Sequence, residues 1–533
     1  MQGVSAKNKP LVERAGGAVF WNVAFFPLKV LIPLLAGIVV VRQLRAEGFA
    51  LYNVTLALLN TLGLFSDFGI ERTLPRFYPE IEMRFGRRGI VRFLMWITLI
   101  KGVALLALVA ALAIGADYWI RQFDLGQDGG WLLAMVAVLL VLGAASDVSI
   151  QLLYTHFKQK VTNALDILVA VARPSLTAIF ILVGWGALGA ILALLLTTIV
   201  AVGLSLWQAW RLLKIIPDEP HRKAAGVKRP SERSLRDRVV SFAGLNYLVN
   251  WSVYLYDRDF VVLFMSFVLA PDELKFPVAT ISLAYKFTKE FLRALVVPLT
   301  GVQTPLFARL YAEGRIDGLR TAYATITKFL MLALLPAGVG LIVAGGNLLQ
   351  VLYGQVGPDA VLSPLTRSAT VACTVILAVG LFGEAMISVA LNVLVVYEDY
   401  RAVVGARLFS LVSIPLLALL VPQYGAVGAA IAVSVAGLGS RMLALVYALR
   451  RLQLPFPTRF FTRVGTASLV MGFALLPILA FLPPNWPSTI LMVAAGVAVF
   501  LLAFKGLGGI EPEDKERFRS LRLPFMNLAL RFL

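Results

Sequence analysis

Apolar runs of roughly 20 residues, separated by short polar turns, recur along this chain from Ala15 to about residue 505. A helix rises 1.5 Å per residue and needs about 20 apolar residues to cross a bilayer's hydrocarbon core. About fourteen such helices are expected, at 15–41, 49–70, 91–115, 131–154, 163–184, 186–210, 239–268, 276–304, 321–345, 366–395, 401–421, 425–449, 462–482 and 487–505. Helices satisfy their own backbone in lipid, so the pattern predicts an all-α integral membrane protein.

The polar intervals add orientation and organisation. With both termini cytoplasmic, about 35 Lys and Arg fall in cytoplasmic loops and tails against about 5 outside. The longest interval, from Leu212 to Asp237, is basic and carries Pro217, Pro220 and Pro230, the composition of a linker. Either side of it the chain repeats weakly: GALGA at Gly186–Ala190 opens the sixth helix and GAVGA at Gly425–Ala429 the twelfth, each leading to a basic exit. RTLPRF near Pro75 closes the second helix on this reading, and VQTPLFARL near Pro305 the eighth. Repeats six helices apart keep one orientation, which predicts two parallel six-helix lobes around a central cavity. The expected domains are an N-lobe at 1–211, a basic cytoplasmic linker at 212–238, a C-lobe at 239–449, two further helices at 450–505 and an amphipathic cytoplasmic tail at 506–533.

Composition narrows the function classes. Of 533 residues, 59% are hydrophobic and 15% charged, with mean hydropathy +0.83, which excludes an ordinary soluble domain. The net charge of +19 is spread over inter-helix loops, so no nucleic-acid partner is expected. One cysteine, Cys373, excludes an intrachain disulfide, and two histidines, His156 and His221, form no metal cluster. No cleavable signal peptide is expected, because the first apolar run is too long for one. No phosphate-binding Gly-rich loop followed by Lys and Ser or Thr is present, so direct ATP use is not expected. Outside loops of only about 20 residues leave little room for the acceptor of a membrane polymerase or ligase.

Charges inside the expected spans carry the candidate chemistry. In YKFTKEFLR, Tyr285–Arg293, the residues Lys286, Lys289, Glu290 and Arg293 fall at i, i+3, i+4 and i+7, one face of a helix. Three bases beside one acid are costly in lipid, so this face is expected to line protein or a watery cavity and to attract an anion. Lys29 in the first helix, near Asn22 and Pro33, stands at similar depth. Asn246, Asn250, Tyr254 and Asp257 follow helical spacing in the seventh, with Arg258 and Asp259 on neighbouring faces. Arg173 precedes Pro174 in the fifth and can pair with Asp147 or Asp166, while Lys101 and Glu384 read as structural. No catalytic residue and no cofactor are expected; Asp257, Asp259 and Glu290 are the groups that can serve H⁺ or Na⁺ coupling.

VRQLRAEGFALYNVTLALLNTLGLFSDFGIERTLPRFYPE, Val41–Glu80, resembles the second-helix signature of the polysaccharide-biosynthesis (O-antigen type) flippases. The matching positions are Glu47, Tyr52, Ser66, Asp67, Gly69 and Arg76, and LPAGVGLIVAGGNLLQVLYG, Leu335–Gly354, is similar to that family's ninth helix. Departures are Gly48-Phe49-Ala50 in place of Phe-Gly and the opening PDELKFPVAT of the eighth helix. The resemblance implies the multidrug/oligosaccharidyl-lipid/polysaccharide (MOP) exporter superfamily, whose two lobes rock between inward- and outward-open states. It implies as cargo a polyprenyl-pyrophosphate-linked oligosaccharide, flipped to the outer leaflet of the cell inner membrane for surface polysaccharide assembly. A polysaccharide polymerase and a chain-length regulator are implied partners, beside membrane lipids. A cavity lined by Lys29, Arg173, Arg258, Lys286, Lys289 and Arg293 suits the pyrophosphate. Moving two negative charges outward through an inside-negative potential releases about 4 to 5 kcal/mol per 100 mV. The alternatives are a lipid II flippase of the same superfamily, a membrane polysaccharide polymerase or ligase, and a cation-coupled drug exporter, which would favour cavity acids.

Overall fold

The computed structural model describes residues 26–155, 159–215, 232–354, 360–397, 399–513 and 515. Among them every regular element is a helix. The first two expected spans form one helical run, α1 (Phe26–Asp67), broken at Arg45, whose φ of 57° and ψ of −173° interrupt the hydrogen-bond ladder. At its end Phe68 and Gly69 both take positive φ, 50° and 68°, and the chain turns directly into α2 (Ile70–Ile114). RTLPRF therefore opens the next helix rather than closing the previous one. A second break, at Gly86 (φ 58°), separates the charged start of α2 from its apolar part.

After α3 (Ala116–Gln122) come α4 (Gly129–Thr155), α5 (Gln159–Leu182) and α6 (Gly186–Ile215). The seventh expected span is split into α7 (Glu232–Tyr254) and α8 (Arg258–Val268), and α9 (Pro271–Ala312) and α10 (Ile316–Tyr353) follow. The tenth span is a composite of α11 (Pro364–Leu377), a π-helical turn at Ala378–Phe382, α12 (Gly383–Ile387) and α13 (Val389–Val396). The eleventh and twelfth are α14 (Tyr400–Leu408), a 3₁₀ turn and α15 (Ser413–Leu452), with Gly425 at φ 53° marking the tight turn between them. Finally come α16 (Thr458–Phe481) and α17 (Trp486–Gly506).

Ten helical runs among the described residues are long and apolar enough to cross a membrane. Two of them, Ile32–Asp67 and Tyr400–Leu452, each hold two expected spans, so the ten account for twelve of the fourteen. The remaining two expected spans, α7 with α8 and α9, carry all the charged candidates except Lys29 and Arg173. The protein is a multi-pass, all-helical membrane protein.

The chain divides into two compact units. One holds the residues through Tyr254 except Arg45–Glu47; the other holds those three and the residues from Leu255 onward. In the first unit α6 packs on α4 and α5, and α2 on α4 and α7. Its core joins Leu74, Tyr78, Ile90 and Ile97 of α2 to Leu152 of α4, Leu212 of α6 and Val239 of α7. The sequence places 239–268 in the C-lobe; in the structure α7 packs with the first unit and the division falls at the break between α7 and α8. Side-chain contact decides this, including the edge-to-face pair Phe77–Phe242. Most of the expected linker and tail lies outside the described residues. In the second unit α16 packs on α10 and α17 through Met331, Met471, Phe500 and Phe504. Leu99, Leu106, Phe473 and Leu502 are exposed, as expected where acyl chains cover a span.

Candidate functional site

Each unit holds a polar cluster within its spans. In the first, Lys101 of α2 donates to Asp147 Oδ2 of α4 at 3.0 Å and lies 4.0 Å from Asp67 Oδ1. Asn250 of α7 donates to Asp67 Oδ2 at 2.9 Å. The lysine side chain is only 3% exposed, so a charge too costly to bury alone is held by two carboxylates. Tyr254 bonds the Thr61 hydroxyl of α1. Gly69 makes this packing possible: a Cβ there would lie 2.2 Å from the Ala243 carbonyl oxygen of α7.

In the second unit the break between α7 and α8 places Asp257 at the N-cap of α8. Its Oδ2 accepts from Lys289 Nζ at 3.2 Å and from the Tyr285 hydroxyl at 3.2 Å, both on α9. Next to it Arg258 donates to Asp259 at 2.6 Å. Tyr256, in the same break, donates to Glu384 Oε1 at 3.2 Å and accepts from Arg407 Nη1 at 3.0 Å. Arg441 Nε donates to the same Glu384 oxygen at 3.0 Å. Glu384 thus takes one guanidinium and one phenol, while Arg407 reaches only the phenol, and the Nε of Arg407 is buried without a partner among the described residues.

Glu384 is positioned by the π-helical turn that precedes it, in which one extra residue per turn rotates the side chains that follow. Close packing completes the arrangement. A Cβ on Gly437 would meet Glu384 Oε2 at 2.8 Å and the Tyr256 ring at 3.2 Å, so only glycine lets α15 approach this cluster.

The expected residues separate accordingly. The stripe Asn246, Asn250, Tyr254 and Asp257 does not act as one face: Asn250 and Tyr254 bond within the first unit, Asp257 within the second, and Asn246 bonds the carbonyl of Phe242 in its own helix. On α9, Lys289 and Arg293 are exposed while Lys286 and Glu290 are half-buried, with Phe287 and Thr288 buried behind them. Arg173 is half-buried in α5 and makes no ion pair among the described residues; Asp147 pairs with Lys101 instead. Asn22 and the side chain of Lys29 lie outside the described residues. Arg407 and Arg441 escaped the sequence reading, although each is an isolated base within an expected span, the signal that had singled out Lys101.

Among these residues the second unit holds six bases, Arg258, Lys286, Lys289, Arg293, Arg407 and Arg441, against four acids, Asp257, Asp259, Glu290 and Glu384. The cluster around Lys101 has the opposite balance. No group of three or more metal-ligating side chains occurs among the described residues.

Comparison with known folds places these clusters in context. Over 91% of the chain and 98% of the other, the structure superposes on the lipid II flippase MurJ in its inward-closed conformation, with TM-score 0.70 and 15% identity. It also resembles a multidrug resistance MATE family transporter of the MOP superfamily. The inward-facing form matches at TM-score 0.58 and 14% identity, over 82% of this chain and 98% of that one. The outward-facing form matches at 0.54 and 16%, over 85% and 98%. The fold is that of the MOP-superfamily transporters. The family model described as lipid II flippase MurJ matches residues 288–496, the part of the MOP fold that carries Lys289, Arg293, Glu384, Arg407 and Arg441. No curated protein matches the chain by sequence. These neighbours are transporters.

Proposed function

We propose that this protein flips lipid II, a polyprenyl-pyrophosphate-linked saccharide, across the cytoplasmic membrane. The observation that carries the reading is the coincidence of the matched region, 288–496, with the surplus of basic groups in the second unit. A pyrophosphate is a compact dianion, and guanidinium and ammonium groups bind its oxygens by charge-assisted hydrogen bonds. Lys289 is the mobile member: its side chain is 53% exposed and held by a single carboxylate contact to Asp257. Cargo phosphate then competes with Asp257 for this ammonium, and the released carboxylate is the place for a coupling H⁺ or Na⁺. Arg441 and Arg407 supply fixed positive potential, since their own bonds to Glu384 and Tyr256 hold them in place. Lipid II replaces the O-antigen type of cargo as the favoured reading because the matched family is that of the lipid II flippase.

The test is complementation. In cells depleted of their own lipid II flippase, this chain should restore growth and the appearance of lipid II in the outer leaflet, whereas the K289Q/R441Q variant at equal membrane abundance should not. Rescue of an O-antigen flippase mutant without rescue of the depleted cells would favour the polysaccharide cargo instead.

A further inference from the structure

Within the first unit, between α2 and α7, lies a cavity of about 590 Å³. Its described lining includes Arg88 and Arg92 of α2, Arg236 of α7 and the rings of Phe85, Phe93 and Trp96, with no carboxylate. We infer that this cavity binds the phosphate headgroup and upper acyl chain of an anionic phospholipid, a site separate from the basic cluster of the second unit.

The order of residues along α2 makes the case. The apolar span Phe85–Ile114 starts at this level, so Arg88 stands at the end of the span and Arg92 one turn further in. Trp96 follows after another turn, about 12 Å along the axis from Arg88. Charge therefore gives way to aromatic surface in the direction in which a lipid's headgroup gives way to its chain. Phe93 and Trp96 stack, their centroids 6.4 Å apart and planes at 17°, and form an apolar wall on the inner side of the arginines. Arg236 adds a third base from the facing helix.

Local backbone choices open the cavity. The break at Gly86 starts a new helical segment, so Arg88 lies in a first turn, where the helix dipole also favours an anion. A Cβ on Gly89 would approach the Phe85 Cβ to 2.1 Å, so glycine is required for Phe85 to hold its place in the lining. Nearby Arg238 lies 3.3 Å from Glu80 and against the ring of Phe77, outside the lining, in which the bases are Arg88, Arg92 and Arg236. A cavity of this size falls in the range of small-molecule sites. Its mixed lining suits a lipid better than a soluble anion, which has no use for the aromatic wall.

The full-length protein in nanodiscs tests this with brominated phosphatidylglycerol and brominated phosphatidylcholine as quenchers. The fluorescence of Trp96, taken as the difference between wild type and W96F, should be quenched at a several-fold lower mole fraction of the anionic lipid. In R88Q/R92Q/R236Q that preference should fall by about fivefold per arginine removed, and millimolar inorganic phosphate should leave the wild-type signal unchanged. Equal quenching by both lipids, or a preference retained by the triple variant, overturns the inference; so does competition by inorganic phosphate, which would mark a soluble-anion site. Should W96F not reconstitute, the rise of wild-type melting temperature with phosphatidylglycerol content serves instead, and an equal rise in R92Q/R236Q overturns the inference.

Discussion

Lys289 Nζ lies 3.2 Å from Asp257 Oδ2, joining the middle of α9 to the N-cap of α8 at the break in the seventh span. This pair ties the exposed ammonium to the unit's interior, and the two partners should respond differently to substitution. K289Q removes the cation and should weaken binding of pyrophosphate-linked lipid by about ten- to a hundredfold, as for a lost charge-assisted hydrogen bond of about 1.5–3 kcal/mol. D257N frees the lysine, so binding should hold or tighten while transport falls. Equilibrium binding of a pyrophosphate-linked lipid to both variants in nanodiscs, compared with flipping rates in liposomes, checks this; equal loss of binding in both would contradict it.

The Glu384–Arg441 pair is largely buried, with side chains 14% and 15% exposed. E384A leaves the Arg441 guanidinium without its carboxylate and should destabilise the protein by about 3–5 kcal/mol, the usual result of breaking a buried pair. E384M/R441M, which removes both charges, should be closer to wild type. Thermal unfolding in detergent reads the difference, and a double variant no more stable than E384A would argue against the pairing.

Gly437→Ala inserts a methyl 2.8 Å from Glu384 Oε2. The carboxylate must shift, so the Tyr256 and Arg441 bonds should weaken at a cost of about 1–3 kcal/mol. A melting temperature and complementation activity both equal to wild type would show that α15 yields more easily than this packing implies.

Gly69→Ala should be more severe. The backbone φ of 68° disfavours a side chain, and its Cβ would lie 2.2 Å from the Ala243 carbonyl oxygen. Reduced membrane abundance and increased proteolysis of the first unit are expected, while Gly63→Ala, where the added Cβ meets nothing within 4 Å, serves as the control.

Outside the spans, Asp399 accepts from Arg451 Nη1 at 2.6 Å. That bond is the main reason its carboxyl titrates below its ordinary 3.8, helped by the backbone N–H of Ala402 and the charges of Arg451 and Arg401, with burial opposing. A depressed folded value means that the stabilisation is present above 3.8 and is lost as pH falls through the folded value. The melting-temperature difference between wild type and D399N should therefore be constant from near neutral pH down to about 5, then shrink on further acidification. A difference that grows on acidification would reverse the sign of this linkage.

Much of the helical order was legible because 20-residue apolar runs admit few other structures in lipid. Gly425 and the tight turn it opens were legible too, since the flanking pattern repeats that at Gly186. The split of the seventh span was not: Asn246, Asn250, Tyr254 and Asp257 keep helical spacing up to Asp257, and what divides them is which neighbours their side chains meet. Arg407 and Arg441 show the same limit from the other side. Each lies in an apolar run as a lone base, and nothing local indicates that Arg441 bonds Glu384 directly and Arg407 reaches it through Tyr256, because a π-helical turn leaves no distinct hydrophobic pattern.

The sequence by itself determined that this is a helical membrane protein with bases in excess within its expected spans, because hydrophobicity and formal charge are properties of single residues and need no knowledge of partners. Tertiary structure decided which charges are neutralised. Lys101 is paired by Asp147 and Asp67, Asp257 belongs with Lys289, and Glu384 is shared by an arginine and a tyrosine that a second arginine contacts. Pairing requires atoms brought to about 3 Å from helices far apart in the chain, and only packing sets that distance.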